Sequence, residues 1–128
     1  MLLRLLSDYQ ANLMRVIQGF VDAGWATGFE FGVDARSRTV GFIKGKIFFQ
    51  NSSCLHFREY VDVQIKVDKL AYSFHYQKLD GSLIFRYDNA VHKPALGYEN
   101  HKHIGDEIIP TDVPSLEGVL WEVHDFLA

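Results

Sequence analysis

The chain has 128 residues, of which 48% are hydrophobic and 23% charged, a composition that fits one folded domain over 1–128 and excludes a disordered chain. Its formal charge is −3 with the six histidines neutral, so bulk charge cannot hold nucleic acid and any such activity needs a local basic patch. The one cysteine, Cys54, excludes an internal disulfide and Cys-rich zinc modules, which agrees with a cytoplasmic protein.

The N-terminal segment has the period of a helix. Leu2, Leu5, Leu6, Tyr9, Leu13, Val16, Ile17, Phe20 and Val21 form one apolar stripe, and Gly24 is a natural stop. Ser7, Asp8, Gln10, Asn12 and Arg15 interrupt its apolar start, so it is not expected to be a signal peptide. No run approaches the roughly 18 apolar residues of a membrane span. After Trp25 the period becomes two. Phe29, Phe31 and Val33 alternate with polar or small residues, and strands are expected over 39–49, 54–66, 70–79 and 82–88. Asp80-Gly81 reads as a two-residue hairpin loop. That register sets His75 opposite Arg86, Ser73 opposite Asp88 and Phe74 opposite Tyr87.

Over 89–110 the periodicity disappears, and a loop that long usually has a function. Pro114 and Ser115 then open a helix whose stripe is Leu116, Val119, Leu120, Val123 and Leu127. The fold class expected is α+β: an antiparallel meander of about five strands, with the N-terminal and C-terminal helices packed on one face.

Polar residues that break the pattern mark the candidate site. Glu59 falls in the apolar row of Leu55, Phe57, Val61 and Val63, where a carboxylate needs a partner. Gly45 is expected to leave room above it. His75, Arg86 and Asp88 share one face of the second hairpin. His92, His101, Lys102 and His103 crowd the following loop. Histidines beside cations suit acid–base cleavage of a phosphodiester without a metal. The same histidines with a carboxylate also suit a divalent ion, although neither H-E-x-x-H nor a Cys pair is present. A structural or partner-binding loop is the third reading.

The run Tyr72-Ser73-Phe74-His75-Tyr76-Gln77, then Asp80-Gly81, then Leu83-Ile84-Phe85-Arg86-Tyr87-Asp88-Asn89-Ala90 and His92, resembles the TumE-like family, as does His101-Lys102-His103. Glu59 matches that family's strand carboxylate, and Pro114-Ser115-Leu116-Glu117 its helix start. The resemblance covers roughly 40–127. Two positions differ: Tyr98-Glu99-Asn100 stands where the family usually has a proline, and Gly118 where it usually has an acid. The resemblance implies a toxin of a type II toxin–antitoxin module, with a helix-turn-helix antitoxin as partner, RNA as target, no membrane and no cofactor. Homodimerisation stays open. The expected reaction is endoribonucleolytic. One of His92, His101 and His103 takes the 2′-hydroxyl proton and another protonates the leaving oxygen. Arg86 steadies the phosphorane, with Lys102 as a second cation, Asp88 orients a histidine, and Glu59 is an alternative base. His75, Tyr87, Asn89 and Lys102 are the expected substrate contacts. A non-catalytic binding module and a metal-dependent hydrolase are the alternatives.

Overall fold

The computed structural model describes residues 5–91 and 96–127. The helical stripe becomes α1 (Leu6–Asp22), which buries Leu6, Tyr9, Leu13, Ile17 and Phe20. Gly24 ends it with a φ of +82°, a left-handed conformation that suits a residue without a Cβ. Seven strands follow: β1 (Ala26–Ala35), β2 (Val40–Phe49), β3 (Cys54–Asp62), β4 (Asp68–Gln77), β5 (Leu83–Asp88), β6 (His101–Ile104) and β7 (Glu107–Pro110). The last element is α2 (Leu116–His124). Spatial order equals chain order, and every neighbouring pair is antiparallel. Ser115 caps α2 by accepting the Gly118 N–H at 3.0 Å. Gly118 has no side chain to return that bond, so the capping box is half made.

The meander and its one-sided helices are as expected, but the strand count is seven rather than about five. The two additional strands lie inside 89–110, where no regular structure was expected. Each has four residues, too short for a period to register, and β7 is exposed along its whole length. The strand expected over 54–66 stops at Asp62, whose carboxylate accepts the Gln64 N–H and turns the chain. The β4–β5 loop is longer than Asp80-Gly81. Lys78 pairs with Ser82 around Leu79, Asp80 and Gly81, with Gly81 at a φ of +87°. An irregularity beside Tyr76 leaves Ile84 unmatched and restores the expected register, with His75 opposite Arg86 and Ser73 opposite Asp88.

Strand alternation gives the sheet two unlike faces. Ile43, Ile47, Leu55, Phe57, Phe74, Tyr76 and Phe85 point to the helices and are buried with Leu116, Leu120 and Val123 of α2. Each such side chain contributes about 1.5–3 kcal/mol by leaving water. Phe20, Trp25, Trp121 and His124 join the two helices edge to face, with centroids 4.4–5.5 Å apart. Gly45 lies opposite Phe57 and not opposite Glu59, whose partner on β2 is Ile43. A Cβ at Gly45 would stand 2.5 Å from the Phe57 ring and 2.9 Å from the Glu30 carbonyl oxygen. The glycine therefore makes room for an aromatic ring and not for the carboxylate.

Glu59 points inward, 1% exposed, and is met by two groups. The Tyr9 hydroxyl of α1 donates to Oε1, and Lys69 Nζ lies 3.3 Å from Oε2. Lys69 reaches the core face because of a bulge. Tyr60 pairs with Ala71 but Val61 pairs with Lys69, which leaves Leu70 unmatched. In an unbroken ladder Leu70 would face inward and Lys69 outward. As built, Leu70 is 47% exposed and Lys69 is buried, donating also to the Pro114 carbonyl at 2.5 Å. Burial pulls the Lys69 pKa below its ordinary value against the pull of Glu59, and burial followed by the Glu59 charge pushes the Tyr9 phenol up.

Lys69→Met should lower unfolding free energy by about 3–5 kcal/mol, because it strands a buried charge. The double variant Glu59→Gln/Lys69→Met should lose clearly less. Urea denaturation of the two decides this, and equal losses would mean that the ion pair is not the source. Gly45→Ala should cost about 1–3 kcal/mol by the same measurement, through overpacking against Phe57.

Candidate functional site

No described element covers the other face of the sheet, and pairing lines its side chains up in rows across the strands. One row runs Glu30, Lys46, His56, His75, Arg86, His103. The next runs Gly32, Lys44, Arg58, Ser73, Asp88, His101. A third begins Asp34, Phe42, Tyr60, Ala71. Two adjoining depressions of about 770 and 960 Å³ follow these rows and share Lys44, Arg58, Ser73 and Arg86 in their walls.

At one end the pairing of β5 with β6 builds a compact cluster. Asp88 Oδ2 accepts from Arg86 Nε at 2.8 Å and lies 3.5 Å from His103 Nε2. Its Oδ1 accepts from the Ala90 N–H at 3.0 Å and lies 2.7 Å from His101 Nε2. Burial alone would raise the Asp88 pKa. Hydrogen bonds from Arg86 and Ala90, together with His101, outweigh it and hold the carboxyl below its ordinary value. His101 is fully buried, and its Nδ1 stands 3.0 Å from the Glu99 carbonyl. That oxygen only accepts, so Nδ1 carries a proton. A proton or a metal ion must then lie between Nε2 and the carboxylate, because two bare lone pairs would repel. One ligating atom each from Asp88, His101 and His103 lie within 4.8 Å of one another, which is spacing that a divalent ion accepts.

Along the three rows Lys44, Lys46, Arg58 and Arg86 stand with Glu30, Asp34 and Asp88. Arg86 Nη1 donates to His75 Nδ1 at 3.2 Å, which fixes the neutral tautomer of that ring with its proton on Nε2. The His75 pKa is lowered, first by burial and then by Arg86. That of His56 is lowered first by burial and then by Lys46 and Arg58. The His56 and His75 rings meet edge to face at 6.2 Å.

The expected site residues thus divide. Arg86, Asp88, His101 and His103 come together, and His75 adjoins them through Arg86. His92 lies outside the described residues. Tyr87 and Lys102 alternate with these residues along β5 and β6 and so point to the helix side. There the Tyr87 hydroxyl and Lys102 Nζ both bind the Glu122 carboxylate of α2, each at 2.6 Å. Asn89 spends its amide on backbone, accepting from the Tyr72 N–H and donating to the Leu70 carbonyl, each at 3.1 Å. Glu59 is in the core on the helix side. Lys44, Lys46, His56 and Arg58 were not singled out from the sequence. Their signal was the alternation in β2 and β3, readable once those strands are paired as the second hairpin was.

The architecture is that of a small α+β protein with one helix-covered face and one open face, the latter lined by histidine, arginine and lysine. The chain belongs to the toxin TumE family, whose sequence profile matches residues 18–128. Membership of a toxin family implies an antitoxin as partner. No curated protein and no solved structure matches the chain. Among the described residues no helix is long and apolar enough to cross a membrane.

The lowered pKa values of His56 and His75 set a sign for acid sensitivity. The unfolded chain, with histidine near ~6.5, binds more protons than the folded one. Stability therefore rises with pH across the window between the native values and about 6.5, and falls on acidification. The variants His56→Gln and His75→Gln should each flatten the acid side of a plot of Tm against pH. A plot parallel to that of the parent would contradict the assignment.

Proposed function

We propose that this toxin acts on RNA as an endoribonuclease, with its reacting groups at the Arg86–Asp88–His103 end of the open face. The observation that carries the reading is the cluster itself: a guanidinium and an accessible imidazole held by one ionised carboxylate, at the end of a cation-lined groove. His103 takes the proton of a 2′-hydroxyl whose oxygen attacks the adjacent phosphorus. The P–O5′ bond breaks, leaving a 2′,3′-cyclic phosphate and a 5′-oxygen that takes its proton from water on the open face. Arg86 stabilises the charge that gathers on the phosphorane, and His75 Nε2–H donates to a non-bridging oxygen. Asp88, anchored from four sides, orients His103. Buried His101 is a positioning residue that fixes Asp88. Lys102 and Glu59, tied up on the helix side, have no part in this scheme. The antitoxin is of the helix-turn-helix type, and its binding blocks the groove.

A second reading rests on the spacing of Asp88, His101 and His103, which could ligate a divalent ion that activates water. The Glu99 carbonyl at His101 Nδ1 is then the outer contact that such a ligand requires. Chelation separates the two.

Purified protein should cleave RNA in EDTA and release cyclic phosphate ends. His103→Ala and Arg86→Ala should each lower the rate by about 10²–10⁴ without changing the circular dichroism spectrum. Activity lost in EDTA and restored by Zn²⁺ or Mn²⁺ would replace the acid–base scheme by the metal one. Intact RNA under both conditions would remove the endoribonuclease reading.

A further inference from the structure

The rows of cations extend well beyond the reacting cluster. From Lys46 on β2 to His103 on β6 is four strand spacings, ~19 Å, much longer than one phosphodiester needs. Lys44, Lys46 and Arg58 lie along this path, and none makes a hydrogen bond or ion pair among the described residues. In a chain of net charge −3, three cations gathered on one face make a local positive stretch, with Glu30 across from Lys46 and Glu99 in the wall of the larger depression as the opposing charges. Only Glu30 of β1 opposes it within the lining of the smaller depression.

The larger depression ends differently. Phe42 and Tyr60 stack there at 4.3 Å, with Phe42 44% exposed. Beside Tyr60 the bulge turns Leu70 outward next to the small Ala71, and both are exposed. The result is an apolar floor bordering a row of cations, the combination that holds single-stranded nucleic acid through base stacking and backbone charge. A duplex hides its base faces and cannot use such a floor.

We propose that the open face binds single-stranded RNA running across the strands. Its phosphates lie on Lys44, Lys46 and Arg58, one base rests against Tyr60 and Phe42, and the next phosphodiester is delivered to Arg86. This rests on RNA being the target, but it assigns a binding track made of residues that take no part in the chemistry.

The test uses a fluorescein-labelled 2′-O-methyl oligonucleotide, which cannot be cut through its 2′-oxygen, and reads fluorescence anisotropy. The wild type should bind it, and a single-stranded DNA of the same sequence, more tightly than the corresponding duplex. Lys46→Ala and Arg58→Ala should each reduce the slope of log K against log salt by about 0.7. Tyr60→Ala should weaken binding roughly 5- to 150-fold with little change of slope. Circular dichroism melts check that the variants, all on the open face, stay folded. Unchanged affinity in all three variants, or equal binding of the duplex, would overturn the track while leaving cleavage untouched. Cleavage of natural RNA by a protein that does not retain the 2′-O-methyl strand would overturn it as well. Normal binding of that strand with no cleavage of natural RNA would support the track and remove the endoribonuclease reading instead.

Discussion

A carboxylate in the middle of an apolar face has to be answered, and much of this structure is the answer to Glu59. An isolated charge there would cost more than a domain of this size can spare. Tyr9 comes from α1, which is separated by 50 positions in the chain, so the hydrogen bond fixes where the helix crosses the sheet. Lys69 comes from the next strand, but only because a bulge turns it inward. The same ammonium then holds the Pro114 carbonyl, just before the cap of α2. One buried pair thereby ties both helices to the centre of the meander.

The outer half of the sheet is pinned by a second carboxylate, half-buried on the same face. Glu122 of α2 collects Tyr87 from β5 and Lys102 from β6. Lys102 also lies 5.0–5.3 Å from the centroids of the Tyr87 and Phe85 rings. Each strand therefore does two jobs. In β5, Phe85 and Tyr87 hold the helix while Arg86 and Asp88 build the open-face cluster. In β6, Lys102 faces inward and His101 and His103 face outward. Neighbours in sequence are kept apart by the thickness of the sheet, so the polar cluster stands on a rigid platform rather than on a loop.

That alternation explains what the sequence made legible. The long periodic elements, α1 and the paired strands β4 and β5, could be read because each carries enough residues for a period and a turn that sets register. The inward direction of Glu59 followed from the same rule. Its partners did not, because Tyr9 is remote and Lys69 points inward only through an extra residue at Leu70, a miscount that leaves no mark in composition. The two strands after Asn100 were too short and too exposed to show a pattern. Lys102 was grouped with the site by the density of titratable residues around it, and Tyr87 by the family resemblance. The period of two in β5 already assigned Tyr87 to the opposite face. The alternation that turns Glu59 inward points His56 and Arg58 outward, but without the β3–β4 register nothing connects them to Arg86.

An open meander, unlike a closed barrel, keeps two raw edges, and here they are unequal. β7 is four residues long and finishes on Pro110, which has no N–H to offer, so it is a poor template for another strand. β1 runs for ten residues and, among the described residues, pairs on one side only, with β2. Glu30 and Asp34 place carboxylates along it, and a kink at Thr27 breaks its regularity at one end. Resistance of this molecule to self-aggregation rests on those few features of its first strand.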